Sequence, residues 1–293
     1  MHWRNLHISN KGSRRRRIKS CSASFLLALI SVGLTGCETQ AVHLDAMNTN
    51  GRDGGGPVPS YASLMRIGVA ARNGGDFVNA LGVFRRAAEV NPQDPTALVA
   101  SGDMLVKLGS IDEAIVAYNN ALLRDPQNQP ALVGRARATL LTGKPALALE
   151  PLSRAYAQTP DDPKVLLLLG VSNDLSGQSA EAQAFYRRGL AITPGDPALT
   201  VDLALSLALN GDYTTSVNVL RPVAMAPSGS RQERQTLALV YGLNGNSTEA
   251  ARLNRIDLDD AAVEHNLAYY ATLRGLNPEA RRRAILSTGG IGS

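Results

Sequence analysis

Six glycines constrain this chain more than any other feature. Gly75, Gly109, Gly143, Gly177, Gly211 and Gly245 stand 34 residues apart without a slip. Pro92, Pro126, Pro160 and Pro194 keep the same spacing, each 17 residues after one of the first four glycines. Two punctuators locked to one period mark stacked supersecondary units, each too small to bury its own apolar side.

The unit Tyr61 to Asp94 shows what the period encodes. Leu64, Ile67, Gly68 and Ala71 share one helical face. Asn73-Gly74-Gly75-Asp76 ends that helix, because glycine accepts the left-handed conformation a helix terminus needs. Asp76 is placed to cap a second helix, whose face is Ala80, Phe84, Ala87 and Ala88. Asn91-Pro92 stops it, since proline disfavours helical geometry in the residue before it. Gly68, Ala80 and Ala87 let the two helices approach, and Phe84 is expected to fill the gap between neighbouring hairpins.

The same reading repeats in units starting at Pro95, Gln129, Pro163, Pro197 and Arg231. Unit five is looser: Thr215 and Ser216 stand where small apolar residues sit elsewhere, and Pro227 comes one place early. These units resemble the tetratricopeptide repeat. That resemblance implies an all-α, right-handed superhelix of about six helical hairpins over 61–257, closed by C-terminal capping helices over 258–286. It implies a fold and says almost nothing of function.

The start of the chain carries different information. Residues 1–36 hold Arg4, Lys11, Arg14 to Arg17 and Lys19 and no acidic residue, then an apolar run from Phe25. A basic segment before a short apolar run reads as a secretory signal. It closes on Leu34-Thr35-Gly36-Cys37, which looks like a bacterial lipobox. The resemblance implies cleavage before Cys37 and lipid attachment to it. Glu38 after the cysteine favours sorting to the outer membrane, at its periplasmic face. Residues 37–60, with Gly51, Gly54 to Gly56, Pro57 and Pro59, read as a flexible tether with a reach of about 25–30 Å.

Removing residues 1–36 would take seven basic residues and leave 23 Lys+Arg against 25 Asp+Glu. The basic balance of the precursor therefore argues for targeting, and nucleic acid is not an expected partner. Arg281-Arg282-Arg283 reads as a solvated helix face. Cys37 would have no cysteine partner, so neither a disulfide nor a thiolate metal site is expected.

Toward the C-terminus, Leu258 to Gly275 reads as one helix with Val263, Leu267, Tyr270 and Leu273 inward. A short helix from Asn277-Pro278 to about Leu286 follows, then a disordered tail over 287–293.

Residues for chemistry are scarce. His265 stands alone on a helix, and the phosphate-loop, nucleophile-elbow and zinc-protease patterns are missing. Asp161-Asp162 precedes Pro163 in an inter-unit turn, where aspartate is routine. An enzyme is not expected, nor a cofactor, a metal or a small-molecule substrate.

What remains is a surface. The first helix of each unit should line the concave side. Its fifth position carries Met65, Val99, Val133, Leu167, Val201 and Gln235; its ninth carries Val69, Asp103, Arg137, Val171, Leu205 and Leu239. With Arg72 and Asp174 these make a mostly apolar groove suited to an amphipathic helix of a protein partner. They serve equally well as extra core in a tight superhelix, and both readings stand on sequence grounds.

The lipobox, the tether, six units and a C-terminal segment with Asn266-Leu267-Ala268-Tyr269-Tyr270 and Leu273-Arg274-Gly275 resemble the TadD lipoproteins of tight-adherence (Flp-type) pilus systems. That resemblance implies an outer-membrane assembly scaffold or pilotin whose partner is the secretin or another pilus component. The alternative is a periplasmic scaffold that activates a cell-wall enzyme or serves an envelope export complex.

Overall fold

The computed structural model describes residues 59–290. The expected signal segment, Cys37 and the tether as far as Val58 lie outside the described residues. Among the described residues every regular element is helical.

The helices pair as the period requires. α1 (Tyr61–Asn73) pairs with α2 (Phe77–Val90), α3 (Thr96–Lys107) with α4 (Ile111–Arg124), and α5 (Gln129–Leu141) with α6 (Pro145–Gln158). Then come α7 (Pro163–Leu175) with α8 (Ser179–Ile192), α9 (Pro197–Leu209) with α10 (Tyr213–Ala224), and α11 (Arg231–Leu243) with α12 (Ser247–Asn254). α13 (Asp260–Gly275) and α14 (Pro278–Gly290) follow.

All six ladder glycines take φ between 72° and 86°, the left-handed region where any side chain is strained. Ser60, Asn128, Asp162, Asp196 and Ser230 cap the first helices of their units by accepting backbone N–H groups. Asp76 caps α2 as expected, accepting from Asn79 N at 3.1 Å.

Successive first helices pack side by side: α3 on α5, α5 on α7, α7 on α9, and α9 on α11. Among the described residues no pair of second helices packs to that degree, so the first helices line the inner side of the curve. The splayed second helices leave a depression of about 650 Å³ between α2 and α4, rimmed by the Arg85–Glu113 ion pair.

Small residues set the hairpin spacing. Ala80, Ala114, Ala148, Ala182 and Ala250 hold one register position and are all buried. Ser216 takes that position in unit five, fully buried, and its hydroxyl donates to Ala204 O at 2.6 Å. The loose unit therefore closes through a hydrogen bond where its neighbours use a methyl group. Pro222 sits inside α10 and Pro151 inside α6, yet both helices run through.

Several boundaries and faces differ from the sequence expectation. Ile67 is exposed, because Leu64 and Gly68 already fill the inward face of α1. Phe84 lies over Gly68 of its own hairpin as well as joining the cluster with Met104 and Leu105 of the next. Leu258 stays outside α13, whose cap is Asp259 accepting from Ala262 N. The inward face of α13 also includes Asn266. α14 continues past Leu286 to Gly290, because Ser287 and Thr288 do not break a helix. The stretch 287–290 is thus helical rather than tail.

The arginine run is not a solvated face. Arg281 donates to Leu273 O, Arg274 O and Leu276 O, satisfying the end of α13, and to the Tyr213 hydroxyl. Arg282 donates to Asn210 Oδ1 at 3.2 Å. Arg283 alone is exposed, paired with Glu279.

Candidate functional site

The twelve groove positions of units one to five lie on five successive first helices, but the structure divides them into two groups. Met65, Val69 and Arg72 on α1, Val99 and Asp103 on α3, and Val133 and Arg137 on α5 are partly exposed. Leu167, Val171 and Asp174 on α7 and Val201 and Leu205 on α9 are buried, with exposures of 3–9%. The inner side is therefore open over units one to three and covered over units four and five. Sequence periodicity placed all twelve on the same side of the first helices; it carried no signal for what covers the later ones.

In the open part, Met65, Val69 and Val99 pack their inner edges against the cluster of Leu105, Phe84 and Tyr118. Val99 and Val133 also touch the next cluster, around Leu132 and Leu168. Each thus presents one side to the core and one to solvent, a mixed role between the two readings of the sequence.

The polar interruption in this stripe is organised. Arg137 Nη2 donates to Asp103 Oδ1 at 2.9 Å, and the Tyr118 hydroxyl donates to the same oxygen at 2.7 Å. Burial, helped by the neighbouring carboxylate, pushes the Tyr118 hydroxyl well above its usual range, so it stays a donor. Asp103 and Arg137 are only moderately exposed, 40% and 38% at the side chain. Such a pair adds little stability, but it fixes a charged patch between Val99 and Val133. Arg72 does not join it; its guanidinium donates to Asn73.

In the covered part, Asp174 accepts from the Ser206 hydroxyl at 2.8 Å and the Tyr186 hydroxyl at 3.1 Å. Val171, Asp174, Tyr186, Asp202, Leu205 and Ser206 border a cavity of about 10 Å³, room for about one water. Burial raises the Asp174 carboxyl to about 6, against the pull of Ser206, Tyr186 and the Arg282 charge. Sequence reasoning missed the network, because Ser206 lies 32 residues from Asp174. Their near-repeat spacing was the available signal.

Asp162 caps α7, accepting from Lys164 N at 2.8 Å, and Asp161 pairs with Arg188. The two carboxylates therefore do turn and surface work. His265 is exposed. Among the described residues no three His, Cys, Asp or Glu side chains gather as a metal site, and no helix is long and apolar enough to cross a membrane.

The tetratricopeptide repeat family matches residues 65–130, 99–163 and 133–197 in three overlapping spans. No protein of curated function matches the sequence. Among solved structures, the type IV pilus biogenesis factor PilW aligns with a TM-score of 0.65 at 17% identity, covering 72% of this chain and 98% of PilW. A tetratricopeptide repeat protein from Parabacteroides merdae aligns with a TM-score of 0.60 at 16% identity, covering 72% and 84%. Pseudomonas aeruginosa pilF aligns with a TM-score of 0.59 at 17% identity, covering 71% and 97%. At these identities the likeness is one of fold: the architecture is a tetratricopeptide-repeat superhelix.

Proposed function

We propose that this tetratricopeptide-repeat superhelix is a protein-binding scaffold of an envelope pilus machine, held at the outer membrane by lipid on Cys37. Its ligand is an amphipathic helical segment of the secretin or another assembly component, resting on the inner side of units one to three. The observation that carries the reading is the stripe of Met65, Val69, Val99 and Val133, half in the core and half in solvent, around the fixed Asp103–Arg137 pair. A repeat scaffold with solvated apolar residues on its inner helices has the layout that takes a helix in a groove. The alignment with a type IV pilus biogenesis factor, over 72% of this chain and 98% of that one, supports the pilus assignment. The lipobox resemblance at Leu34 to Cys37 and the TadD-like C-terminal segment support the anchor and the tight-adherence branch.

Lipid on Cys37 confines the scaffold to the surface where a secretin assembles. Confinement raises effective concentration, so modest groove contacts suffice. Two experiments test the two halves. Cys37→Ser should release the protein from outer-membrane fractions; retention at wild-type level would remove the anchor from the account. Val99→Glu with Val133→Glu should abolish binding of purified secretin while leaving the helical content intact; unchanged binding would remove the groove. Recovery of a cell-wall synthase as the bound protein would move the scaffold to a different machine.

A further inference from the structure

α1, α3 and α5 each expose part of their inner side, but α9 is buried from Leu199 to Leu209 without a break. A helix buried all round needs cover on every side. Part of the inner cover is the chain's own α14, which packs on α9. Ile285 of α14 is buried in the cluster that contains Val201, Leu205 and Leu209. Arg282 reaches across to Asn210 at the end of α9, with its guanidinium beside Gly177 at the end of α7. Asp174 lies close enough to feel the Arg282 charge, and Asp202 borders the same cavity. A short helix with one apolar anchor and arginines beside it thus sits on an apolar surface underlain by two carboxylates.

The start of α14 is tied to the end of α13 and to Tyr213 by Arg281, whereas its contacts on the α9 side are the burial of Ile285 and the Arg282–Asn210 hydrogen bond. It leaves α13 through the extended residue Leu276 and Asn277-Pro278. The surface it covers is continuous in register with the open stripe of units one to three.

We propose that the inner face at α7 and α9 is a helix-binding surface that α14 occupies in cis. The partner contributes an amphipathic, arginine-bearing helix of the same kind, which displaces α14 and extends its contact from three units to five. This rests on the reading of the groove as the partner site and adds the chemistry of what enters it.

The probe is a labelled peptide of residues 277–290, titrated into the full chain and into an Arg282→Glu/Ile285→Ala variant. A helix tethered in cis competes at an effective concentration of about millimolar. Releasing it should therefore tighten peptide binding at least about tenfold, and raised salt should weaken it. Equal affinity of folded wild type and variant, or no binding to either, overturns the proposal. Should the variant fail to fold, hydrogen exchange on the wild type decides: with excess peptide, α14 amides should lose protection while α9 amides keep theirs, and unchanged α14 protection overturns it. The open-groove reading fails separately, through unaltered secretin binding by the Val99→Glu/Val133→Glu variant.

Discussion

Gly68 and Phe84 are fitted to each other: a Cβ built on Gly68 would lie 2.5 Å from Phe84 Cε1, inside any permitted contact. The pairing recurs with its sizes balanced. Gly102 faces Tyr118 and Gly170 faces Tyr186, where a Cβ would clash in the same way. Units three and five carry Ala136 with Leu152 and Ala204 with Leu220 at the equivalent places, all fully buried. A ring needs a glycine opposite; a leucine tolerates an alanine.

That balance predicts a coupled pair. Gly68→Ala should destabilise by about 1–3 kcal/mol through overpacking, and Phe84→Leu by about 1–2 kcal/mol through lost burial. The double substitution recreates the pairing of unit three. Urea unfolding of all four proteins should give a favourable coupling of about 1 kcal/mol or more; strict additivity would contradict the packing argument.

The ladder glycines do a different job. Gly109 has φ +81°, and a Cβ there would have no neighbour within 4 Å, so a side chain meets strain but no clash. Gly109→Ala should cost about 1 kcal/mol, and Gly109→Asn clearly less, because asparagine tolerates the left-handed region. Thermal melts of the two variants check the order.

Arg234 donates from Nε to Asp257 Oδ2 at 2.7 Å and from Nη2 to Oδ1 at 2.6 Å, joining α11 to the turn before α13. The side chains are only 19% and 10% exposed, so the fork counts for more than a surface pair. Arg234→Lys keeps the charge and loses the two-pronged geometry. A loss of about 1–2 kcal/mol, with faster hydrogen exchange confined to α12 and α13, is the expected result.

Asp174 gives a pH signature. Its carboxyl rises to about 6 when folded, chiefly through burial, so the folded chain holds a proton that the unfolded chain, near about 3.9, releases earlier. The resulting stability is fully present below about pH 4 and is lost as pH rises through about 6. Asp174→Asn cannot titrate. Relative to wild type it should therefore gain up to about 3 kcal/mol on going from about pH 4 to about pH 7, measured by denaturant unfolding at both. A constant difference between the two proteins would show that Asp174 does not titrate in that window.

The hairpins were legible because each depends on neighbours in sequence: glycine for the left-handed turn, proline after the second helix, alanine at Ala80 and its equivalents. The inner side was legible as a register and only half legible as a surface. Which inner positions are covered depends on how elements far apart in the chain pack, α14 on α9 among them, and no local pattern encodes where such a helix lands. Arg281 and Arg282 misled for the same reason. A run of three arginines looks solvated until a carbonyl-rich helix end and Asn210 are brought beside it. The signal segment, Cys37 and the tether remain sequence readings.

The most direct measurement is titration calorimetry of purified secretin against three forms of the chain: wild type, Val99→Glu/Val133→Glu on the inner side, and Val116→Glu/Leu123→Glu on the exposed face of α4. The account predicts that the inner variant loses about a hundredfold or more in affinity, about 2.7 kcal/mol, while the α4 variant stays within about twofold of wild type. Binding lost with the α4 variant and kept with the inner one would contradict it.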